Sequence, residues 1–201
     1  MTTTDRPAGW RARIRTSRIG TLAVLAVTTA LVMGAAYLVD RPDSDPDGVT
    51  AVELTGAASG PPPAVGKPAQ DFTATTVDGR QVSLGEHKGK PVWLTFGATW
   101  CAPCRAEAPD IQAAYDKAKA NGVVVIAVYL SEDAKDVQNY AIRLGLDYLH
   151  VADPETRIAS AYRVMGIPTH YFIDRSGNLQ SIKVGVLNRA RMDAALAEIS
   201  S

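Results

Sequence analysis

Phe96-Gly97-Ala98-Thr99-Trp100-Cys101-Ala102-Pro103-Cys104-Arg105-Ala106-Glu107-Ala108-Pro109 holds both cysteines of the 201-residue chain. Just before Gly97, Val92-Trp93-Leu94-Thr95-Phe96 is an apolar, partly β-branched run with the length and composition of a buried strand. After Cys104 an alanine-rich stretch runs to Asn121-Gly122, which reads as a helix and its stop. Cys101 therefore sits where a strand turns into a helix. There the unpaired N–H groups of the first helical turn and the helix dipole favour a thiolate. A strand, a tight turn, two thiols separated by two residues, and a helix together specify dithiol redox chemistry.

Other uses of the pair are weaker. A structural zinc ion needs four ligands, and a second CxxC or a close histidine pair would have to supply the other two. The sequence has neither: His87, His150 and His170 are scattered, read as surface or strand residues, and are given no chemistry. An inert disulfide is disfavoured, because so small a loop removes little entropy from the unfolded chain. No metal and no cofactor is expected. Pro103 lacks an N–H and suits a first helical turn; lying between the cysteines, it is also placed to tune their redox poise.

The 21 basic and 21 acidic residues cancel, so the overall charge offers no footing for nucleic acid. The balance is uneven along the chain. Arg6, Arg11, Arg13, Arg15 and Arg18 crowd the start, and Asp40, Asp43, Asp45, Asp47 and Glu53 crowd 40–53. Between them Ile19–Val39 carries no charge over 21 residues, enough helix to cross a hydrocarbon core of about 30 Å. Positive residues stay on the cytoplasmic side. The expected order is a cytoplasmic basic tail over 1–18, a transmembrane anchor over 19–39, and everything later outside the cytoplasm, where a disulfide persists. A cleaved signal peptide is the alternative. Its apolar core would run about 7–15 residues to a small-x-small site, whereas Gly34-Ala35-Ala36 leads into Tyr37, Leu38 and Val39.

Residues 40–64, with Pro42, Pro46, Pro61, Pro62 and Pro63, read as an extended linker with little to pack. The folded domain is expected over 65–201. Phe72–Val77 and Arg80–Leu84 flank Asp78-Gly79 as a β-hairpin. Val123–Tyr129 reads as a strand covered on both faces, Glu132–Leu144 as a helix, and Tyr148–Val151 as a short strand. A further helix, with Pro154 in its first turn, is expected through Tyr162. Thr169–Ile173 and Leu179–Val184 form a second hairpin, and Asn188–Ile199 a closing helix. Helices alternating with buried strands give an α/β layered fold.

Together these features resemble thioredoxin-like proteins, and among them the membrane-tethered TlpA/ResA-like thiol-disulfide oxidoreductases. The stretch 96–109 is similar to that group's active-site signature. Gly166-Ile167-Pro168-Thr169, followed by Tyr171-Phe172-Ile173-Asp174 and Gly177, is similar to its cis-proline loop and the next strand. The resemblance covers residues 65–199. It implies a mixed central sheet flanked by helices, with an N-terminal β-hairpin and a helix–strand insertion, preceded by one transmembrane helix. It implies Cys101 as nucleophile, Cys104 as resolving thiol, and Trp100, Ile167 and Pro168 as the substrate-binding surround. Glu107 matches an acidic residue that influences the protonation of the cysteines; by the residues alone it could equally be a solvated carboxylate. Thr95 departs from ordinary thioredoxins, which carry a buried aspartate there, and leaves Glu107 as the proton-handling candidate.

The function implied is exchange with protein disulfides, reducing apocytochrome c or other exported proteins, with electrons from a membrane partner bearing its own thiols. Oxidation or isomerisation of secreted proteins is the main alternative. A thiol peroxidase would need a cysteine in a loop of its own, and a pure binding module would need no reactive thiols.

Overall fold

The computed structural model of the chain describes residues 18–39, 48–58 and 60–201. They fall in two units, Met1–Asp43 and Ser44–Ser201. In the first, helix α1 (Arg18–Val39) covers the uncharged stretch, with Leu22, Leu25, Leu31 and Met33 exposed along it. Among the described residues, no helix is long and apolar enough to cross a membrane. The described side chains of α1 are those of 20–34, about 22 Å of helix against a hydrocarbon core of about 30 Å. The basic tail before Arg18 and the acidic stretch 40–47 lie outside the described residues.

The second unit opens with a two-residue strand β1 (Thr50–Ala51) and the hairpin of β2 (Thr73–Thr75) and β3 (Gln81–Ser83). Strand β4 (Val92–Gly97), helix α2 (Ala102–Ala118), strand β5 (Val124–Leu130), helix α3 (Ala134–Leu144) and strand β6 (Leu149–Asp153) follow. A short helix α4 (Arg157–Ala161), strands β7 (Gly166–Ile167), β8 (Thr169–Ile173) and β9 (Leu179–Val184), and helix α5 (Arg189–Ser200) complete it. The main sheet runs β6-β5-β4-β8-β9, with β4 parallel to β5 and antiparallel to β8. The unit α3–β6 adds the edge strand at one side. This is a thioredoxin-like mixed sheet between helices.

Side chains alternate between the faces of a strand. Leu94 and Phe96 of β4 enter one core with Ile126, Val128, Tyr162 and Tyr171. Trp93 enters the other with Val125, Tyr129 and Phe172, closed over by Ala108 and Ile111 of α2 and by Met192 and Leu196 of α5. Both faces are covered, which is why β4 and β5 read as unbroken apolar runs. Trp93 and Phe96 are completely buried, so truncating either to alanine costs about 3–5 kcal/mol.

Three local expectations are corrected. Helix α3 begins at Ala134 rather than Glu132, whose carboxylate is drawn instead to Thr99. Pro154 lies ahead of α4 and not in its first turn. Asp153 reaches over it, accepting the N–H groups of Arg157 at 2.8 Å and Ala159 at 2.9 Å. The third correction matters most. Of the stretch expected as free linker, β1 pairs antiparallel with β7, Thr50 opposite Ile167 and Ala51 opposite Gly166, and Val52 and Leu54 pack on the core. Pairing with the edge at 165–167 supplies hydrogen bonds that so short a β-branched segment lacks alone.

Candidate active site

Cys101 and Cys104 are joined by a disulfide, their Cα atoms 5.3 Å apart. Cys101 is the N-cap of α2. Its backbone is extended (φ −74°, ψ 112°), and its sulfur accepts the N–H of Cys104 at 3.2 Å. Ala102 and Pro103 fill the first helical positions, so the proline has no intrahelical partner to lose there. When the disulfide opens, an N–H group and the positive end of the helix face the Cys101 sulfur and stabilise negative charge on it.

The turn before the pair is clamped. Glu132, beyond the end of β5, accepts the Thr99 N–H at 2.7 Å and also the Thr99 hydroxyl. Arg105 donates to the Thr99 carbonyl at 3.1 Å. Sequence reasoning missed Glu132. The available signal was weak: an acidic residue at the carboxyl end of a strand parallel to β4, the sheet edge where site loops gather. Trp100, beside the pair, is 48 % exposed. Ile167, completely buried, is joined to Pro168 by a cis peptide bond, as the resemblance implies.

Behind the pair lies a cavity of about 30 Å³ whose lining includes Thr95, Cys104, Glu107, Tyr140, Tyr148 and Pro168, room for about one water. Glu107 is buried, which excludes the solvated reading. Its Oε2 accepts the N–H of Leu187 at 3.1 Å. Its Oε1 lies 3.3 Å from Nε2 of His170, at ion-pair distance but out of line for a hydrogen bond.

His170 is thereby corrected from a residue without assignment to the buried partner of Glu107. The register explains the meeting: Thr95 faces His170 across β4 and β8, and Trp93 faces Phe172, all on the α2 side. The indole N–H of Trp93 donates to His170 Nδ1 at 3.3 Å, and Thr95 Oγ1 lies 3.0 Å from the same nitrogen. Because an indole can only donate, Nδ1 is the acceptor, and the imidazole proton is assigned to Nε2, on the Glu107 side.

Burial raises the phenols of Tyr129, Tyr140 and Tyr148, so that side of the cavity stays uncharged. His150, out of the cavity, is held neutral by burial, its pKa lowered to about 4.

The AhpC/TSA family model matches residues 65–182. The thiol-disulfide oxidoreductase ResA of Geobacillus kaustophilus is 35% identical over 136 residues, 68% of this chain and 78% of that protein. A thiol:disulfide interchange protein of the thioredoxin family from Chlorobium tepidum has a similar structure, with TM-score 0.63 and 30% identity over 72% of this chain and 100% of that one. StoA from Bacillus subtilis matches with TM-score 0.56 and 25% identity, over 64% of this chain and 96% of that one. The matched segment carries both cysteines, Glu107 and the cis-proline, and the chain belongs to the AhpC/TSA family, among its thioredoxin-like thiol-disulfide oxidoreductases.

Proposed function

We propose that this chain is a membrane-anchored, extracytoplasmic oxidoreductase that reduces disulfides of exported proteins, apocytochrome c among them. The observation that carries the reading is the Cys101 sulfur capping α2, 3.2 Å from the Cys104 N–H, with the cis-proline across the cavity from Cys104. In the reduced pair the Cys101 thiolate attacks one sulfur of a substrate disulfide. That bond breaks, and the second substrate sulfur leaves as a thiolate and takes up a proton. Cys104 gives its proton toward Glu107 and attacks the Cys101 sulfur of the mixed disulfide; the bond from Cys101 to the substrate breaks, and that substrate sulfur leaves as a thiolate and takes up a proton. The substrate departs with two thiols, two electrons richer, and the Cys101–Cys104 disulfide remains. Trp100 supplies exposed apolar surface, and the Gly166–Ile167 edge beside the cis-proline, which β1 occupies in this structure, is where an extended substrate segment would form strand-like hydrogen bonds.

Both cysteines of the chain are spent in this cycle, so the electrons must return from a partner with thiols of its own. A separate peroxide-reactive cysteine is absent for the same reason. The exposed apolar residues of α1, the arginines before it and the acidic, proline-rich stretch after it support an uncleaved anchor with a cytoplasmic N-terminus. A membrane-impermeant thiol reagent on intact cells should label the reduced pair; labelling only after lysis would overturn this topology.

The direction of transfer is tested by the reduction potential. A value near about −270 mV supports a reductant, and one near about −120 mV would make the chain an oxidant of secreted proteins.

A further inference from the structure

Residues 49–52 run along the Met165–Ile167 edge, and Thr50 among them reaches Cys101. Thr50 and Ala51 add an antiparallel strand to Gly166–Ile167, and Val52 donates its N–H to the Met165 carbonyl at 3.3 Å. The Thr50 hydroxyl oxygen stands 3.8 Å from the Cys101 sulfur, and Cys101 is 1 % exposed while its neighbour Trp100 is 48 % exposed. The nucleophile is hidden although it sits at the surface end of α2.

Both ends of the segment are held. The N–H groups of Thr55 and Gly56 donate to the Thr156 hydroxyl at 2.8 and 3.0 Å. Thr156 is completely buried and left-handed (φ 50°), a backbone region costly for a β-branched residue. Gly56 is pressed so closely on the backbone that a Cβ there would meet the carbonyl oxygens of Glu155 and Thr156 at 2.7 Å. At the other end, a Cβ on Gly166 would meet Val49 at 2.5 Å.

We propose that residues 49–52 are an internal pseudosubstrate. They occupy the strand-addition edge beside the cis-proline, with the Thr50 hydroxyl where a substrate sulfur would stand; the inference rests on reading this site as one for protein disulfides. Threonine and cysteine differ little in reach at this position. The fit describes the partner: an extended, uncharged segment with a β-branched residue just before the reactive cysteine, where Val49 packs close against Gly166. Such a segment and the chain's own strand exclude one another, so a substrate must lift 49–52 off the edge before Cys101 can be reached.

Cross-linking tests the placement without any activity. In the full chain carrying Cys104→Ser, Thr50→Cys treated with the oxidant diamide should form a disulfide to position 101, recovered by peptide mass spectrometry. Glu53→Cys in the same background, at an exposed position of the same segment, should not. Equal cross-linking at the two positions would overturn the placement.

Competition is tested by Val52→Pro, which removes the N–H to Met165, and by Gly56→Val, which drives the latch off Thr156. Each should speed iodoacetamide alkylation of Cys101 in the reduced full chain roughly tenfold, the equivalent of about 1.4 kcal/mol and of one or two lost backbone hydrogen bonds. Unchanged alkylation in both, with unchanged thermal melting, would overturn the occlusion. If no form reduced insulin while alkylation still accelerated, the functional reading would fail and the occluding strand would stand.

Discussion

The front and the back of the disulfide are built from different material. In front, Cys101 meets main chain and a borrowed strand: the Cys104 N–H and Thr50 of β1, itself paired with the edge at Ile167. Behind, Cys104 meets fixed side chains: Thr95, Glu107 and Tyr148 around a cavity the size of a water, with His170 behind the carboxylate. Backbone recognition tolerates many partner sequences, because every extended segment carries the same N–H and C=O groups. Proton handling needs particular groups held in one geometry, and burial among packed side chains supplies that. The two sulfurs are thereby given different work.

The largest effect that can break this contrast is loss of the front sulfur. Cys101→Ser should bring insulin reduction down to the rate without protein, since a hydroxyl is not ionised at neutral pH and cannot attack a disulfide. Residual turnover above that background would mean that Cys104 can attack by itself.

Next is the back. His170→Leu leaves the Glu107 carboxylate buried without its partner and frees the Trp93 indole N–H, and should destabilise the domain by about 3 kcal/mol in urea unfolding. A loss under about 1 kcal/mol would show that the pair is not a built feature.

His150 provides a reference, buried but outside the cavity. Its folded pKa lies below the usual 6.5, at about 4, so the unfolded chain binds the extra proton between those values. Its contribution to stability is complete above about pH 6.5 and is lost as the pH falls toward 4, by about 3 kcal/mol in all. His150→Gln should flatten that dependence; an unchanged slope would place the acid sensitivity elsewhere.

The smallest effect is the most specific to the back. Glu107→Gln keeps an acceptor for the Leu187 N–H and removes the charge, so thiolate formation should move to lower pH. Superimposable titrations followed by thiolate absorbance would separate Glu107 from the thiols.

The front was legible where the signal is local. Two cysteines between a buried strand and a helix, and a Gly-Ile-Pro-Thr stretch followed by an apolar strand, carry their meaning within a few residues. Glu107 could be named, but not its burial, which depends on α2 and α5 closing over one face of the sheet. His170 reads as one more strand residue, because its pairing arises from the β4–β8 register and from which face α2 covers. Strand β1 is two residues long in a proline- and glycine-rich stretch, too short for any periodicity; only pairing with the edge at 165–167 makes it a strand. Glu132 is a lone acid until the parallel β4 and β5 bring its loop to Thr99.

Capture of a mixed disulfide tests the division between the sulfurs most directly. Reduced Cys104→Ser and Cys101→Ser chains are each mixed with a disulfide-bonded substrate such as insulin, quenched with acid, and mapped by mass spectrometry of peptides. Substrate should be attached to Cys101 in the Cys104→Ser chain, with little or none in the Cys101→Ser chain. Capture by Cys104 in the Cys101→Ser chain, with none on Cys101, would contradict that division.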